Sequence, residues 1–532
     1  MEHSDKLTGI IKRLKPDSAN PQLYQELGDY FSDCNPQQAF LCYQNALFYS
    51  DNEENKGICR QRMGAMERKG GAVSPCSFVI LNYKFLEGIQ ACIQSIRQFC
   101  LEETYEIVVV DNASCDESTE WLRTQDDLVL VENTENRGFP GGCNDGIAAA
   151  NPGNDIVLLN NDTIVMPNTL FCLRMALYED ERNGATGCIT NYSSNGQQIY
   201  TDFKTMEDYL SFSYLANIPQ PDKHERKTYL VGFAELIRRS VLDEIGGLDE
   251  RFSPGNYEDN DLGLRILQAG YRNILCHDSF IVHLGSQSFA KDPEAYRNLL
   301  QTNLQKINEK YGFSVSYYSY ARNEVIELID REKNDAFTVF EVGCGLGATL
   351  NRISYLYPNA SVQGMELVES VALIGNGNCK IQCGDVEKDE LDIPKHSVDV
   401  LIFADVIEHL RDPLKTLTGM KDYLKPDGCI LMSIPNQMHY SVMIELLMGG
   451  YSWDEAGIRD YTHLHVFTLQ TIRSMIATCG FREEELRGTY LGDKIPEDYA
   501  WFEDLIKREE TAEREQFFVY QYLLRIRSDV CE

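Results

Sequence analysis

SFVILNYKFLEGIQACIQSIRQFCLEETYEIVVVD, residues 77–111, is the segment from which the architecture follows. Its ends, Ser77–Asn82 and Glu106–Asp111, are short apolar runs rich in β-branched residues, each closing on a polar side chain. Between them Gly88–Phe99 carries apolar residues at helical spacing. Strands apolar on both faces belong to a parallel sheet covered by helices, so the segment predicts a strand–helix–strand unit of an α/β domain. Leu128–Glu132 and Ile156–Asn160 continue the same alternation. A second alternation begins at Phe337–Val342 and includes Ser361–Glu366, Val398–Phe403 and Cys429–Ile434. It closes on a terminal Phe517–Ile526, expected to form a hairpin-like pair with a strand near Glu484–Thr489. A chain of 532 residues is too long for one core, and two α/β domains account for most of it.

Upstream, residues 1–73 read as helical. Tyr24, Leu27, Gly28, Phe31, Ala39, Tyr43 and Ala46 fall in a pattern that resembles a tetratricopeptide repeat with one residue missing between its helices. Gly28 and Ala46 are expected where the paired helices touch. One such unit cannot bury its face alone, so it docks on the next domain, on a protein partner or on a second copy of the chain. Lys306–Arg331 reads as a charged helical connector interrupted by SVSYYSYAR, which places the boundary near Ser316–Arg322. The expected domains are therefore 1–73, 74–318 and 319–532.

A net charge of −33 repels phosphate-rich surfaces and argues against nucleic acid or anionic membrane as a nonspecific partner. No apolar stretch approaches the length of a membrane span, and the N-terminus lacks the pattern of a secretory signal. The 17 cysteines are scattered singly with no CxxC pair, as expected for reduced, mostly buried thiols in the cytoplasm.

Four features of the first α/β domain carry chemistry. Asp111-Asn112-Ala-Ser114 follows a strand at the carboxyl edge, where such sheets bind ligands. Asn136-Arg137-Gly138-Phe-Pro-Gly141-Gly142 is a glycine-dense turn opening a helix that includes Asn144. Asn160-Asn161-Asp162 ends a buried strand. Gly246-Gly247-Leu-Asp249-Glu-Arg251-Phe252 precedes Tyr257-Glu258-Asp259-Asn260-Asp261. Singly, Asp111 reads equally as a helix cap, and Glu258–Asp261 as a solvated helix start. Together NYK, VVVDNAS, NRGFPGG, LLNND, GGLDERF, YEDNDLGLR and HLGSQS resemble the inverting family 2 glycosyltransferases of rhamnosyltransferase-like type, over residues 76–290.

That resemblance implies a GT-A nucleotide-diphospho-sugar-binding fold. Asn82, Asp111 and Arg137 would meet the base and ribose, with Asn144 and Asn161 also in the donor-binding set. Asp162 would hold Mn²⁺ or Mg²⁺ against the diphosphate, and His283 either joins it or is structural. Asp259, with Glu258 beside it, would be the catalytic base. Asn160 stands where the family motif has its first aspartate, which lowers the charge offered to a cation. A sugar hydroxyl needs a carboxylate to take its proton, and a hard cation neutralises the departing diphosphate, so these residue types suit the reaction.

In the second α/β domain, Glu341-Val342-Gly343-Cys344-Gly345-Leu346-Gly347 links a strand to a helix. Alone such a turn fits a dinucleotide site equally well. With Glu366 ending the next strand, Asp385 ending another and Asp405-Val-Ile-Glu408-His409-Leu410 after a fourth, the suite resembles class I S-adenosylmethionine-dependent methyltransferases over residues 322–532. The resemblance implies a Rossmann-like fold in which Glu341, Gly343, Gly345 and Gly347 line the methionine end. Glu366 would bind ribose, Asp385 would lie near adenine and Asp405 would border the reaction centre. His463 is expected either to face the substrate or to be structural, and His409 to be structural. His463 and His465 alternate on an extended segment as a metal pair would, without an evident third ligand. Helical Lys494–Glu515 is a candidate lid or dimer contact.

These expectations combine into one reading. A nucleotide-sugar-dependent glycosyltransferase is fused to an O-methyltransferase, both acting on the same glycan or glycoprotein acceptor, as in bacterial surface-glycan or flagellin glycosylation. The alternatives keep one domain active and the other a scaffold, or make the helical N-terminus a protein-recognition adaptor.

Overall fold

The computed structural model describes residues 2–285, 293–491, 495–507 and 514–529. It divides into two compact units, Met1–Val315 and Ser316–Glu532.

The first unit opens with four helices, α1 (Glu2–Leu14), α2 (Pro21–Phe31), α3 (Pro36–Tyr49) and α4 (Glu53–Arg68). Asn20, Asn35 and Asn52 start the last three by accepting backbone amides, with proline in the first turn of α2 and α3. Gly28 lets α2 and α3 close up, because a Cβ there would stand 2.5 Å from Tyr43 Cε1. The helices dock on the sheet domain of their own unit. Gln38 donates to the Met175 carbonyl at 3.0 Å and Asn35 to that of Tyr178 at 2.9 Å. Asn168, at φ 62°, bolts the contact: it donates to the Tyr24 hydroxyl at 2.9 Å and accepts from that of Tyr49 at 3.0 Å.

The sheet of this unit contains β1 (Cys76–Asn82), β2 (Tyr105–Asp111), β3 (Leu128–Glu132), β4 (Asp155–Asn160), β5 (Thr163–Ile164), β6 (Asn183–Thr190), β7 (His224–Lys227), β8 (Ala234–Ile237) and β9 (Arg272–His283). Their order is β3-β2-β1-β4-β8-β6-β9-β5, with β7 paired to β9. Strands β1 to β4 are parallel, as read from the sequence, but β8 runs antiparallel to both β4 and β6. The sheet is thus mixed, its parallel part formed by the four strands read from the sequence. The later strands escaped notice because β5, β7 and β8 are short and β6, NGATGCIT, carries no strand pattern. Helix Pro293–Tyr311 belongs to this unit and is no connector. Asn303 donates to the Phe252, Gly255 and Asn256 carbonyls at 2.8, 3.0 and 3.1 Å, and Lys310 reaches Asp249 at 2.8 Å.

The second unit contains β10 (Thr338–Val342), β11 (Ser361–Glu366), β12 (Lys380–Cys383), β13 (Val398–Ala404), β14 (Leu424–Pro435), β15 (Phe481–Tyr490) and β16 (Val519–Ser528). The order β12-β11-β10-β13-β14-β16-β15 places the first five as a doubly wound parallel sheet. Antiparallel β16 then joins β14, and β15 pairs β16 as the expected late hairpin. Of the helix expected over Lys494–Glu515, the described part is Ala500–Ile506, packed through buried Phe502 and Ile506. Lys494 and residues 508–513 lie outside the described residues, as do Ser286–Ser288 of HLGSQS. The described cysteines are free thiols, buried except for Cys34, Cys115 and Cys383. Among the described residues no helix is long and apolar enough to cross a membrane.

Candidate active sites

Parallel register aligns the carboxyl ends of β2, β1 and β4, pairing Asn82 with Asp111 and Leu81 with Asn160. Fully buried Asn82 donates to Asp111 Oδ1 at 3.0 Å and to Ser118 Oγ at 2.8 Å. Asn161 donates in turn to Asn82 Oδ1 at 3.4 Å. Asp111 also takes the Thr119 hydroxyl at 2.8 Å. Asn112, to which the sequence assigned no role, organises the glycine-dense turn. It donates to Asn136 Oδ1 at 2.9 Å and to the Gly138 carbonyl at 3.1 Å, and accepts from the Arg137 amide at 3.0 Å.

Two expected donor-binding residues have their polar groups engaged elsewhere. Asn144 clasps the backbone of Leu248, donating to its carbonyl and accepting from its amide at 2.8 Å each. It thereby braces the 246–250 loop. Arg137 pairs with Asp145 and with Glu250 at 3.1 Å, so its guanidinium already bridges the turn to that loop.

Pairing of β5 with β9 sets Thr163 opposite His283 and so brings Asp162 against the imidazole, Nε2 to Oδ1 3.2 Å. His283 Nδ1 contacts the Tyr192 carbonyl at 2.8 Å, which fixes the proton there in the neutral ring. Nε2 then presents a lone pair to a carboxylate, an arrangement that calls for a proton or a cation between them. The carboxylate accordingly holds the imidazole pKa above its ordinary value despite burial. Asn160 Oδ1 and His283 Nε2 are both buried without a hydrogen bond. These oxygen and nitrogen donors fit a hard divalent cation.

The acidic pair begins helix Glu258–Gln268, where Asn256 and Tyr257 at φ 73° and 76° turn the chain sharply. Burial raises the pKa of both carboxyls. Their environments differ. Asp259 accepts the Gly232 amide at 3.3 Å and the Asn260 amide at 2.8 Å, whereas Glu258 Oε2 is buried without a partner. A third carboxyl, Glu235 on β8, is pushed up to about 8, first by burial and then by Asp259. Segment 232–235 joins the two clusters. Gly232 holds Asp259, while Phe233 stacks on His283 at 5.3 Å and accepts the Asn160 amide at 2.9 Å. The segment's signal in the sequence is an acid inside the apolar run FAELI.

In the second unit, Gly343, Gly345 and Gly347 have φ of 69°, 55° and 78°. A Cβ at Gly345 would lie 2.7 Å from the Tyr318 carbonyl, and one at Gly347 would lie 2.4 Å from Cys379 Sγ. Glu366 receives the Gly345 and Val368 amides at 2.9 Å each. Glu341 is buried, raised to about 8 by desolvation, with Oε2 unpartnered. Asp385 is more open and is held low by Lys388 at 2.5 Å. This cradle of backbone and carboxylates fits a small cationic nucleoside.

Asp405, at φ 53°, accepts Ser433 Oγ at 2.6 Å and Gln521 Nε2 at 2.8 Å and pairs with Arg322 at 2.7 Å. The rings of Tyr317 and Tyr320 lie 5.7 and 5.2 Å from that guanidinium. SVSYYSYAR, read above as a linker, therefore builds the site; its aromatic density was the missed signal. His463 is not paired with His465, whose Nε2 reaches the Arg411 carbonyl at 3.4 Å. Its neighbours are His409, ring centroids 4.8 Å apart, and Glu408 Oε1 at 4.0 Å. One donor atom from each of these three residues falls within 4.8 Å of the others, a grouping different from the expected His463–His465 pair.

Residues 77–246 match the glycosyl transferase family 2 model, and residues 294–486 match a methyltransferase domain model. The latter match begins inside helix Pro293–Tyr311 of the first unit. Among curated proteins, the chain is similar to a malonyl-[acyl-carrier protein] O-methyltransferase of Bacillus anthracis, 26% identical over 133 residues, 23% of this chain and 48% of that one. The chain thus spans about half the length of that relative. A probable S-adenosylmethionine-dependent methyltransferase of Mycolicibacterium smegmatis is 26% identical over 187 residues, 35% of this chain and 68% of that one. Among solved structures, GalNAc-T7 with UDP, GalNAc and Mn²⁺ is 17% identical, with a TM-score of 0.37 over 48% of this chain and 52% of that one. The chain therefore carries a family 2 glycosyl transferase domain followed by a methyltransferase domain.

Proposed function

We propose that the first unit transfers a sugar from a nucleoside diphosphate with inversion, and that the second methylates a hydroxyl of the same glycan from S-adenosylmethionine. The observation that carries the reading is that Asn82, Asp111 and Asp162 lie within the glycosyl transferase match, and Glu341, Glu366 and Asp405 within the methyltransferase match, each set at the carboxyl edge of its own sheet. In the first cluster, Asn82 and Asp111 receive the donor nucleoside, while Asp162, Asn160 and His283 hold a divalent cation, Mn²⁺ or Mg²⁺, which neutralises the leaving diphosphate. Asp259 is the base. Its two amide donors stabilise the carboxylate, whereas Glu258 and Glu235 stay protonated at neutral pH because burial leaves their charged forms unsupported.

In the second cluster, the glycine turn, Glu341 and Glu366 hold S-adenosylmethionine, in keeping with the Mycolicibacterium relative. An already activated methyl needs alignment above all, which the Arg322–Asp405 pair provides at the edge of the centre. Low-pKa His463, with burial and then His409 disfavouring its charge, accepts the hydroxyl proton. The cytoplasm, a bacterial surface glycan or glycoprotein as acceptor, and thymidine or uridine diphosphate donors complete the proposal. The N-terminal helices are assigned to recognition of an acceptor protein in this proposal.

Titration calorimetry with dTDP, UDP and S-adenosylmethionine, with and without Mn²⁺, tests this. Two independent sites are expected, and Asp162→Ala should remove only the cation-dependent nucleotide binding. One ligand binding and the other failing would leave a single enzyme with a scaffold domain. If neither binds, the reading falls.

A further inference from the structure

Away from both sites, the first unit buries a side-chain cluster that no role above uses. Antiparallel β7 and β9 set His224 directly opposite Cys276, with Asp278 two residues further along β9. One donor atom from each of the three lies within 4.8 Å of the others. The His224 and Asp278 side chains are 6% and 0% exposed, and Cys276 is fully buried. His224 Nδ1 contacts Glu179 Oε2 at 2.7 Å, so the neutral ring keeps its proton there and turns the Nε2 lone pair inward. Nε2 stands 3.3 Å from Asp278 Oδ2 yet makes no directed hydrogen bond, and Asp278 Oδ1 has no partner either. The Gln220 amide donates to Oδ2 at 2.6 Å.

We propose that His224 Nε2, Cys276 Sγ and the Asp278 carboxylate bind one zinc-type divalent cation, with Glu179 orienting the imidazole. A thiolate with an imidazole and a carboxylate selects zinc over the hard cations suited to the Asp162 centre. Tetrahedral zinc with nitrogen and oxygen ligands at about 2.0–2.1 Å needs those atoms roughly 3.3–3.4 Å apart, as His224 Nε2 and Asp278 Oδ2 are. A carboxylate on the remote imidazole nitrogen is the usual support for a zinc-bound histidine. Binding forms bonds from sulfur, nitrogen and oxygen to the cation and breaks one S–H bond, whose proton passes to solvent. The ion ties β7 to β9 and, through Glu179, to the chain just after helix Thr169–Leu177. Because β9 continues to His283, the clip also steadies the strand that presents that ligand. The proposal does not rest on the glycosyl-transfer reading.

The metal-free alternative is a charged His224 between Glu179 and Asp278, which together hold its pKa at about 10. Elemental analysis of the full chain after gel filtration separates the two. About one equivalent of zinc per chain should remain in wild type and in Asp162→Ala, and be lost in Cys276→Ser and His224→Gln. Cobalt(II) added to the chelator-stripped wild type should give a thiolate-to-cobalt charge-transfer band, absent in Cys276→Ser. That band excludes the Glu408–His409–His463 cluster, which has no thiol, and it needs no variant to fold. Folded wild type that retains no zinc and shows no such band overturns the proposal. So does a Cys276→Ser protein that keeps both.

Discussion

Replacing Glu341 by glutamine probes the second unit where its electrostatics are most exposed to measurement. The side chain projects from the penultimate residue of β10, 2% exposed, with Oε2 unpartnered, and burial lifts its pKa from an ordinary 4.5 to about 8. Between those values the folded chain keeps a proton that the unfolded chain releases. Unfolding free energy from this group therefore falls as pH rises from about 4.5 and levels off above about 8. At about 1.4 kcal/mol per pH unit the total is on the order of 5 kcal/mol, an upper bound because water entry relieves part of it. Glutamine has nearly the same shape and cannot ionise. Glu341→Gln should match wild type near pH 5 and exceed it by several kcal/mol near pH 9. Hydrogen exchange in peptides from β10 and β13 of the full chain, corrected for intrinsic rates, reads this unit without requiring the whole protein to unfold in one step. The pH at which wild type binds S-adenosylmethionine half-maximally should shift with the same ionisation, since a carboxylate here favours the ligand's positive charge. Parallel stability curves for the two proteins across that range would refute the burial argument.

Asp259→Asn should cut sugar transfer by about 10²–10⁴-fold with donor affinity little changed, because proton removal is lost while the nucleotide contacts remain; steady-state kinetics with varied donor checks it. Gly345→Ala forces a Cβ to 2.7 Å from the Tyr318 carbonyl at a φ of 55°. It should abolish measurable S-adenosylmethionine binding by calorimetry while leaving nucleotide binding to the first unit intact. Arg322→Ala strips Asp405 of its ion pair at 2.7 Å. A cost of about 1–3 kcal/mol in the stability of the second unit is expected from breaking this half-buried pair, whose carboxylate keeps the Ser433 and Gln521 donors, measured by the same exchange experiment, with Asp405→Asn in the same chain restoring much of it.

The strand–helix alternation, the N-terminal helices and the two glycine turns were all legible in the chain. Each is dictated by local physics: apolar periodicity, Asn–Pro helix starts, and glycines where a Cβ has no room. The carboxyl-edge residues Asn82, Asp111, Glu341 and Glu366 were legible for the same reason, since each lies at or next to the last residue of a strand visible in its own right. What only tertiary structure decided is which distant residues meet. The antiparallel insertion of β8, a four-residue strand, put Glu235 and Gly232 beside Asp259 and Phe233 against His283. Packing of SVSYYSYAR gave Asp405 its arginine, and loop closure gave His463 the neighbour His409 in place of His465. Such pairings depend on long-range register and burial, which a one-dimensional pattern does not encode, and burial in turn sets which of several carboxylates keeps its proton.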